Sequence, residues 1–122
     1  MVLAAIHDAP EDQLFTARAL STDLEIPFHV TSKAMQGMNR AGILSSTQGK
    51  QGGYRVKQDL ETVSLDALIK AVGPAPALTA CLHHGGKCQY QEKCSIRTSI
   101  SRLDQRVQAL FKEVNVLELI QA

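Results

Sequence analysis

The stretch from Phe15 to Lys57 constrains the fold more than any other part of the chain. In FTARALSTDL, Ala17, Leu20 and Leu24 recur at helical spacing behind Thr16, a residue type whose hydroxyl caps a first turn. EIP then interrupts, because the ring of Pro27 disfavours helical geometry at Ile26. A second helix begins at or near Pro27, which suits a first helical turn, and runs through FHVTSKAMQGMNR until Gly42 stops it after Ala41. Val30, Ala34, Met35 and Met38 share its apolar face, leaving His29, Ser32, Lys33, Gln36 and Arg40 outside. These residues predict a helix, a tight turn and a longer helix whose outer face is basic and rich in donors.

ILSSTQGKQGGYRVK follows, with two strand-like pieces, Ile43–Thr47 and Tyr54–Lys57, around a glycine-containing loop that carries Lys50. A helix-turn-helix followed by a basic hairpin is the winged-helix plan, in which the second helix enters the major groove and the wing touches backbone or minor groove. Charge agrees with it. From Ile26 to Gln58 there is no Asp or Glu, while Lys33, Arg40, Lys50, Arg55 and Lys57 give +5; of 13 Lys and Arg and 12 Asp and Glu, that leaves eight bases against twelve acids elsewhere. A basic block inside folded-looking sequence is the footprint of a surface that meets phosphates, with a merely solvated basic face as the plain alternative.

Beyond the wing, SLDALIKAVG reads as a short helix capped by Ser64 and stopped by Gly73, and GPAPALTA as a stiff connector. From Ile96 the apolar residues Ile100, Leu103, Val107, Leu110 and Val114 follow a 4-3-4-3-4 spacing. Such a seam packs on its own domain or on a second copy. The composition, 44% hydrophobic but only 4% aromatic with no Trp, supports a modest helical core, so the second copy is expected. Asn115 and Glu118 make a capping-box-like start to a terminal turn of helix. No stretch approaches the roughly eighteen apolar residues of a membrane span, and MVLAAIH lacks the flank and cleavage site of a signal peptide, so a cytoplasmic protein is expected.

All 3 cysteines fall within CLHHGGKCQYQEKC, as Cys81, Cys88 and Cys94. An odd count suits a disulfide framework badly, and reduced thiols in one cluster read better as metal-binding or redox-sensing. Zinc sites prefer C-x2-4-C pairs. Here the spacing is C-x6-C-x5-C, with Gly85 and Gly86 letting the backbone wrap a bulkier cofactor, and Lys87, Lys93 and Arg97 able to balance the charge of a thiolate-held iron-sulfur cluster. Structural cysteine is the alternative, weakened by the polar residues between the thiols.

Taken together, NRAGIL at the end of the helix-turn-helix, GKQGGYRV in the wing, SLDALIKAVGP, the cysteine loop and a long helix ending in LELI resemble the winged-helix transcriptional regulators of the IscR/NsrR (Rrf-two) family across nearly the whole chain. The resemblance implies a homodimer on a partly palindromic double-stranded DNA operator. It also implies an iron-sulfur cluster, 2Fe-2S or 4Fe-4S, between the winged domain and the dimerisation helix, with Cys81, Cys88 and Cys94 as ligands. The family's DNA-facing positions fall on His29, Ser32, Lys33, Gln36, Arg40, Gln48, Lys50 and Tyr54, the last of which is alternatively a packing residue. Three departures stand out. IscR-like members place a histidine where Arg97 stands, NsrR-like members borrow an acidic residue from a first helix that this chain enters midway at MVLAAI, and the basic residue usual before the wing's first glycine is Gln48. The fourth ligand is therefore open, with His83 and His84 as the nearby candidates.

The expected fold is mainly α with a small β hairpin: a winged helix-turn-helix domain over 1–73, a cysteine-containing sensor loop over 74–95, and a dimerisation helix and C-terminal segment over 96–122. The expected function is a DNA-binding regulator that senses iron, redox state or nitric oxide, with a cluster-free winged-helix repressor carrying a thiol switch as the alternative. No constellation of general base and open metal position suggests an enzyme.

Overall fold

Short polar side chains decide where several of the helices start. The structure, a computed structural model, describes residues 1–74, 76–82 and 87–121. Helix α1 (Val2–His7) is followed by α2 (Ala17–Asp23), where the Thr16 hydroxyl accepts from the Ala19 N–H at 3.1 Å. Helix α3 (Phe28–Arg40) begins behind Pro27, and the hairpin strands β1 (Leu44–Thr47) and β2 (Gly53–Val56) come next. Helix α4 (Leu65–Val72) is capped by Ser64, whose Oγ accepts from the Ala67 N–H at 3.1 Å. A short 3-10 turn at Ala80–Leu82, the long helix α5 (Arg97–Glu113) and the terminal helix α6 (Val116–Gln121) complete the chain. At α6 half of the expected capping box forms: Asn115 Oδ1 accepts from the Glu118 N–H at 2.9 Å, while Glu118 Oε1 accepts from the Asn115 side-chain amide at 2.6 Å in place of the backbone N–H. Among the described residues no helix is long and apolar enough to cross a membrane.

The two helices of the helix-turn-helix end in the same way. After α3, the Ile43 N–H reaches Met38 O at 3.0 Å and the Gly42 N–H reaches Asn39 O at 3.1 Å, with Gly42 at φ 78°. After α2, the Ile26 N–H reaches Ser21 O at 3.0 Å and the Glu25 N–H reaches Thr22 O at 3.3 Å, with Glu25 at φ 54°. A side chain in that left-handed conformation costs about 1–2 kcal/mol, against about 0.5–1 kcal/mol of extra chain entropy that glycine loses. Glu25→Gly is therefore expected to raise stability by about 0.5 kcal/mol, read as a higher urea midpoint; a lower midpoint would refute the assignment.

Among the described residues, ten form the buried core: Leu3 and Ile6 of α1, Leu20 of α2, Met35 and Met38 of α3, Ile43, Leu44, Leu60, Val63 and Val116. One expectation is corrected here. Val30 lies 48% exposed, and Thr31 is the buried residue at 1%, because the inward stripe of α3 runs through Thr31, Met35 and Met38. Thr31 tolerates burial since its hydroxyl donates to Pro27 O at 3.3 Å. Gly37 is buried as well: a Cβ there would run into the backbone carbonyl of Ala71, so α3 and α4 meet backbone to backbone.

The hairpin is antiparallel, pairing Leu44 with Val56, Ser45 with Arg55, Ser46 with Tyr54 and Thr47 with Gly53. Ile43 stays outside β1 because its N–H closes the end of α3, while its carbonyl accepts from the Lys57 N–H at 2.9 Å. On the other edge of β2, Phe15 and Tyr54 exchange backbone bonds of 2.9 and 2.7 Å, which joins the wing to the start of α2. The chain's last segment returns to the winged part: the Leu65 N–H bonds Val114 O and the Val116 N–H bonds Val63 O, both at 2.8 Å.

Candidate nucleic-acid interface and cysteine segment

Packing the Thr31–Met35–Met38 stripe inward turns the opposite side of α3 to solvent. His29, Lys33, Gln36 and Arg40 are exposed along that side, or half-buried at its edge in the case of Gln36's neighbour Ser32, whose Oγ accepts from Gln36 Nε2 at 3.3 Å. Gln48 and Lys50 are exposed in the turn between β1 and β2, as are Arg55 and Lys57 on and just beyond β2. Tyr54 differs from the other DNA-facing candidates: it is half-buried and packs against the core, consistent with the packing reading. Among the described residues the ion pair present is Lys70 with Asp66 at 2.8 Å on α4. The basic residues of α3 and the wing have no carboxylate partner there, so their charge is available to an anionic ligand.

Pattern reading missed one contact on this side. Arg18, on the first turn of α2, places its guanidinium carbon 4.8 Å from the centroid of the Phe28 ring at the start of α3. Both residues are exposed. The available signal was a large apolar residue at the first helical position, off the inward stripe.

The cysteine segment is anchored before it begins. Beyond α4 the connector lies along α5, where the Leu78 N–H donates to Asp104 Oδ1 at 2.9 Å and Gln108 Nε2 donates to Pro76 O at 2.7 Å. Cys81 sits in the 3-10 turn, half-buried, with its Sγ 3.1 Å from Thr79 Oγ1. Cys88 is half-buried and opens a turn in which its carbonyl accepts from the Gln91 N–H at 3.1 Å, and Cys94 is exposed. All three are free thiols. His83 and His84, the candidate fourth ligands, lie outside the described residues together with Gly85 and Gly86. The donors fit an iron-sulfur cluster in kind, being three soft sulfurs in free thiols, two on half-buried residues and one on an exposed residue. Among the described residues, however, no three His, Cys, Asp or Glu side chains are gathered as a metal-binding group.

Two stacked helices with an outward basic stripe and a two-stranded hairpin beside them define a winged helix-turn-helix protein, mainly α with a small β component. Its fold matches that of CymR, the global cysteine regulator of B. subtilis, with a TM-score of 0.68 at 12% identity over 98% of this chain and 88% of that one. It also matches T. potens IscR, with a TM-score of 0.63 at 13% identity over 98% of this chain and 76% of that one. The chain belongs to the Rrf2 family, described as an iron-dependent transcriptional regulator, whose model matches residues 1–122. By sequence it is 30% identical over 83 residues to the HTH-type transcriptional regulator IscR of Vibrio vulnificus, which covers 68% of this chain and 49% of that protein. The chain thus spans about half the length of the curated IscR relative it matches.

Proposed function

We propose that this chain is a cytoplasmic transcriptional regulator that reads double-stranded DNA as a homodimer, α3 lying in the major groove and the hairpin on the flanking backbone. The observation that carries the reading is the row of exposed basic and donor side chains on α3, with no carboxylate partner among the described residues. His29, Ser32, Lys33, Gln36 and Arg40 are its reading residues, Gln48 and Lys50 its wing contacts, and Tyr54 supports the wing from inside. The winged part is assigned to 1–73, the sensor segment to 74–95 and the dimerisation segment to 96–122.

Lys33 and Lys50 separate base reading from positioning. Lys50→Ala leaves one or more phosphates without a cation, so affinity falls alike on every sequence and the salt slope shrinks by roughly one unit per phosphate. Lys33→Ala removes a side chain able to reach guanine O6 and N7, so the loss is about 1–3 kcal/mol on the cognate site and much less on random DNA. Equal losses on the two DNAs would show that α3 does not read bases, and no binding by the parent protein would sink the regulator reading.

In the same proposal Cys81, Cys88 and Cys94 are the ligands of an iron-sulfur cluster, which would supply an iron centre responsive to redox state and to small reactive ligands. What the chain contributes is the three thiols, kept free on a segment fastened to α5. Protein purified without oxygen is expected to show charge-transfer absorption in the visible, and Cys88→Ala to lose it together with iron and acid-labile sulfide while remaining folded. One observation favours a second reading, a cluster-free thiol switch: the Cys81 sulfur already has the Thr79 hydroxyl as its partner. Colourless protein with iron supplied would select that reading, and a Cys88→Ala variant that keeps its iron would overturn the ligand assignment.

A further inference from the structure

We propose that Arg18 and Phe28 form a second DNA-contacting unit, in which the Phe28 ring holds the Arg18 guanidinium flat at the mouth of the helix-turn-helix and Arg18 donates to a DNA phosphate. The inference rests on the DNA-binding reading above and extends it from α3 and the wing to α2. Phe28 is the starting point. It is 46% exposed at the first position of α3, while the residues that anchor this helix inward are Thr31, Met35 and Met38. A half-exposed phenyl ring there gains little from burial, but its face has an occupant. The Arg18 guanidinium carbon stands 4.8 Å from the ring centroid, within the range of cation–π attraction and on the α2 side of the turn.

The stacking matters because of what it leaves unused. A guanidinium held over an aromatic ring makes no hydrogen bond to it and keeps its N–H donors, in the fork that matches phosphate oxygens. Among the described residues Arg18 has no carboxylate partner, and the side-chain bonds at this position run the other way, with the Ser21 and Thr22 hydroxyls donating to its backbone carbonyl at 2.8 and 3.1 Å. Phe28 also adjoins the reading row. One helical turn further on lies Ser32, which is bonded to Gln36 at 3.3 Å, so Arg18, Phe28, Ser32 and Gln36 form one continuous edge. In helix-turn-helix docking the first helix crosses the DNA backbone where the second enters the groove. A phosphate is therefore the ligand that an arginine at this corner meets, and its contact positions the reading helix without selecting sequence.

A phosphate contact can be tested without knowing the operator, using a short mixed-sequence duplex titrated at several salt concentrations. Arg18→Ala is expected to weaken binding about tenfold at low salt and to lower the salt slope by roughly one unit for each phosphate left without its cation. Phe28→Ala keeps the charge, so it is expected to weaken binding about threefold while leaving the slope near the parent value, and Phe28→Tyr, which keeps the ring, to bind like the parent. The double variant Arg18→Ala/Phe28→Ala is expected to bind no worse than Arg18→Ala alone, because the ring acts through the guanidinium. All four are expected to stay folded, with at most a small fall in urea midpoint where the half-exposed ring or its cation is removed. Unchanged affinity and slope for Arg18→Ala would overturn the phosphate contact while leaving the rest of the interface intact. Additive losses, or a lowered midpoint for Phe28→Ala with parent-like affinity, would overturn the platform role. Failure of the parent protein to bind the duplex would remove this inference together with the reading it extends.

Discussion

Gly37→Ala is expected to lower the unfolding free energy, although alanine in the middle of a helix is worth about 1 kcal/mol over glycine. A Cβ on Gly37 would collide with the carbonyl oxygen of Ala71 and stand 3.2 Å from the carbon that bears it. Both atoms are backbone, so no rotamer change relieves the contact, and α4 must move away from α3. Overpacking of this kind costs about 1–3 kcal/mol, which outweighs the propensity gain. Gly37→Val adds two methyl groups to the clash and lacks alanine's helical advantage, so its loss should exceed about 3 kcal/mol, a large part of the stability of a small domain. Urea unfolding of the two variants checks this. A Gly37→Ala protein more stable than its parent would mean that the two helices do not meet at that point.

Leu103→Glu is expected to convert the proposed homodimer to a monomer. Ile96, Leu103 and Leu110 stand one heptad apart and are 60, 49 and 54% exposed, and α5 buries no residue among those described. An adjoining side of the same helix is occupied by the connector at Pro76 and Leu78. An apolar row of this length on a helix with one covered side is the surface on which a second copy is proposed to pack, and a two-fold axis would bring two Leu103 positions near each other. Glutamate there would bury two like charges facing each other across the axis. A cost of a few kcal/mol corresponds to a loss of affinity between subunits of more than about a hundredfold. Sedimentation showing an unchanged dimer would place the subunit interface elsewhere.

The parts of the fold that could be read from the sequence are those decided within a few residues. Thr16, Ser64 and the Asn115–Glu118 pair cap the helices they were expected to cap, because capping needs only a short polar side chain three residues from an unpaired N–H. Gly42 was legible for the same local reason. What escaped depended on neighbours distant in sequence. The exchange of Val30 for Thr31 on the inner side of α3 is set by the direction from which the core approaches, and a helical wheel leaves that angle uncertain by one residue. The need for glycine at 37 comes from α4, more than thirty positions on. At the candidate interface the α3 row followed from periodicity, whereas the Arg18–Phe28 contact required knowing how α2 lies across α3. Cysteine spacing identified a donor set but not its assembly, since three sulfurs separated by polar residues carry no local rule for their arrangement.

Helix α5 can finally be regarded as a rod. Its 17 residues span about 25 Å, and at its C-terminal end the bonds from Leu65 to Val114 and from Val116 to Val63 rivet it to the winged part. Along its side, Asp104 near the middle and Gln108 in the C-terminal half clip the connector at Leu78 and Pro76, ahead of the turn Ala80–Leu82 that carries Cys81, while Cys94 precedes its first residue by three. Both ends of the cysteine segment are therefore fastened to one stiff body, so that drawing the sulfurs together would load the two clips at Asp104 and Gln108. Because the rivets lie at the C-terminal end, a rotation of about 10° about them would displace the N-terminal tip, next to Cys94, by roughly 4 Å.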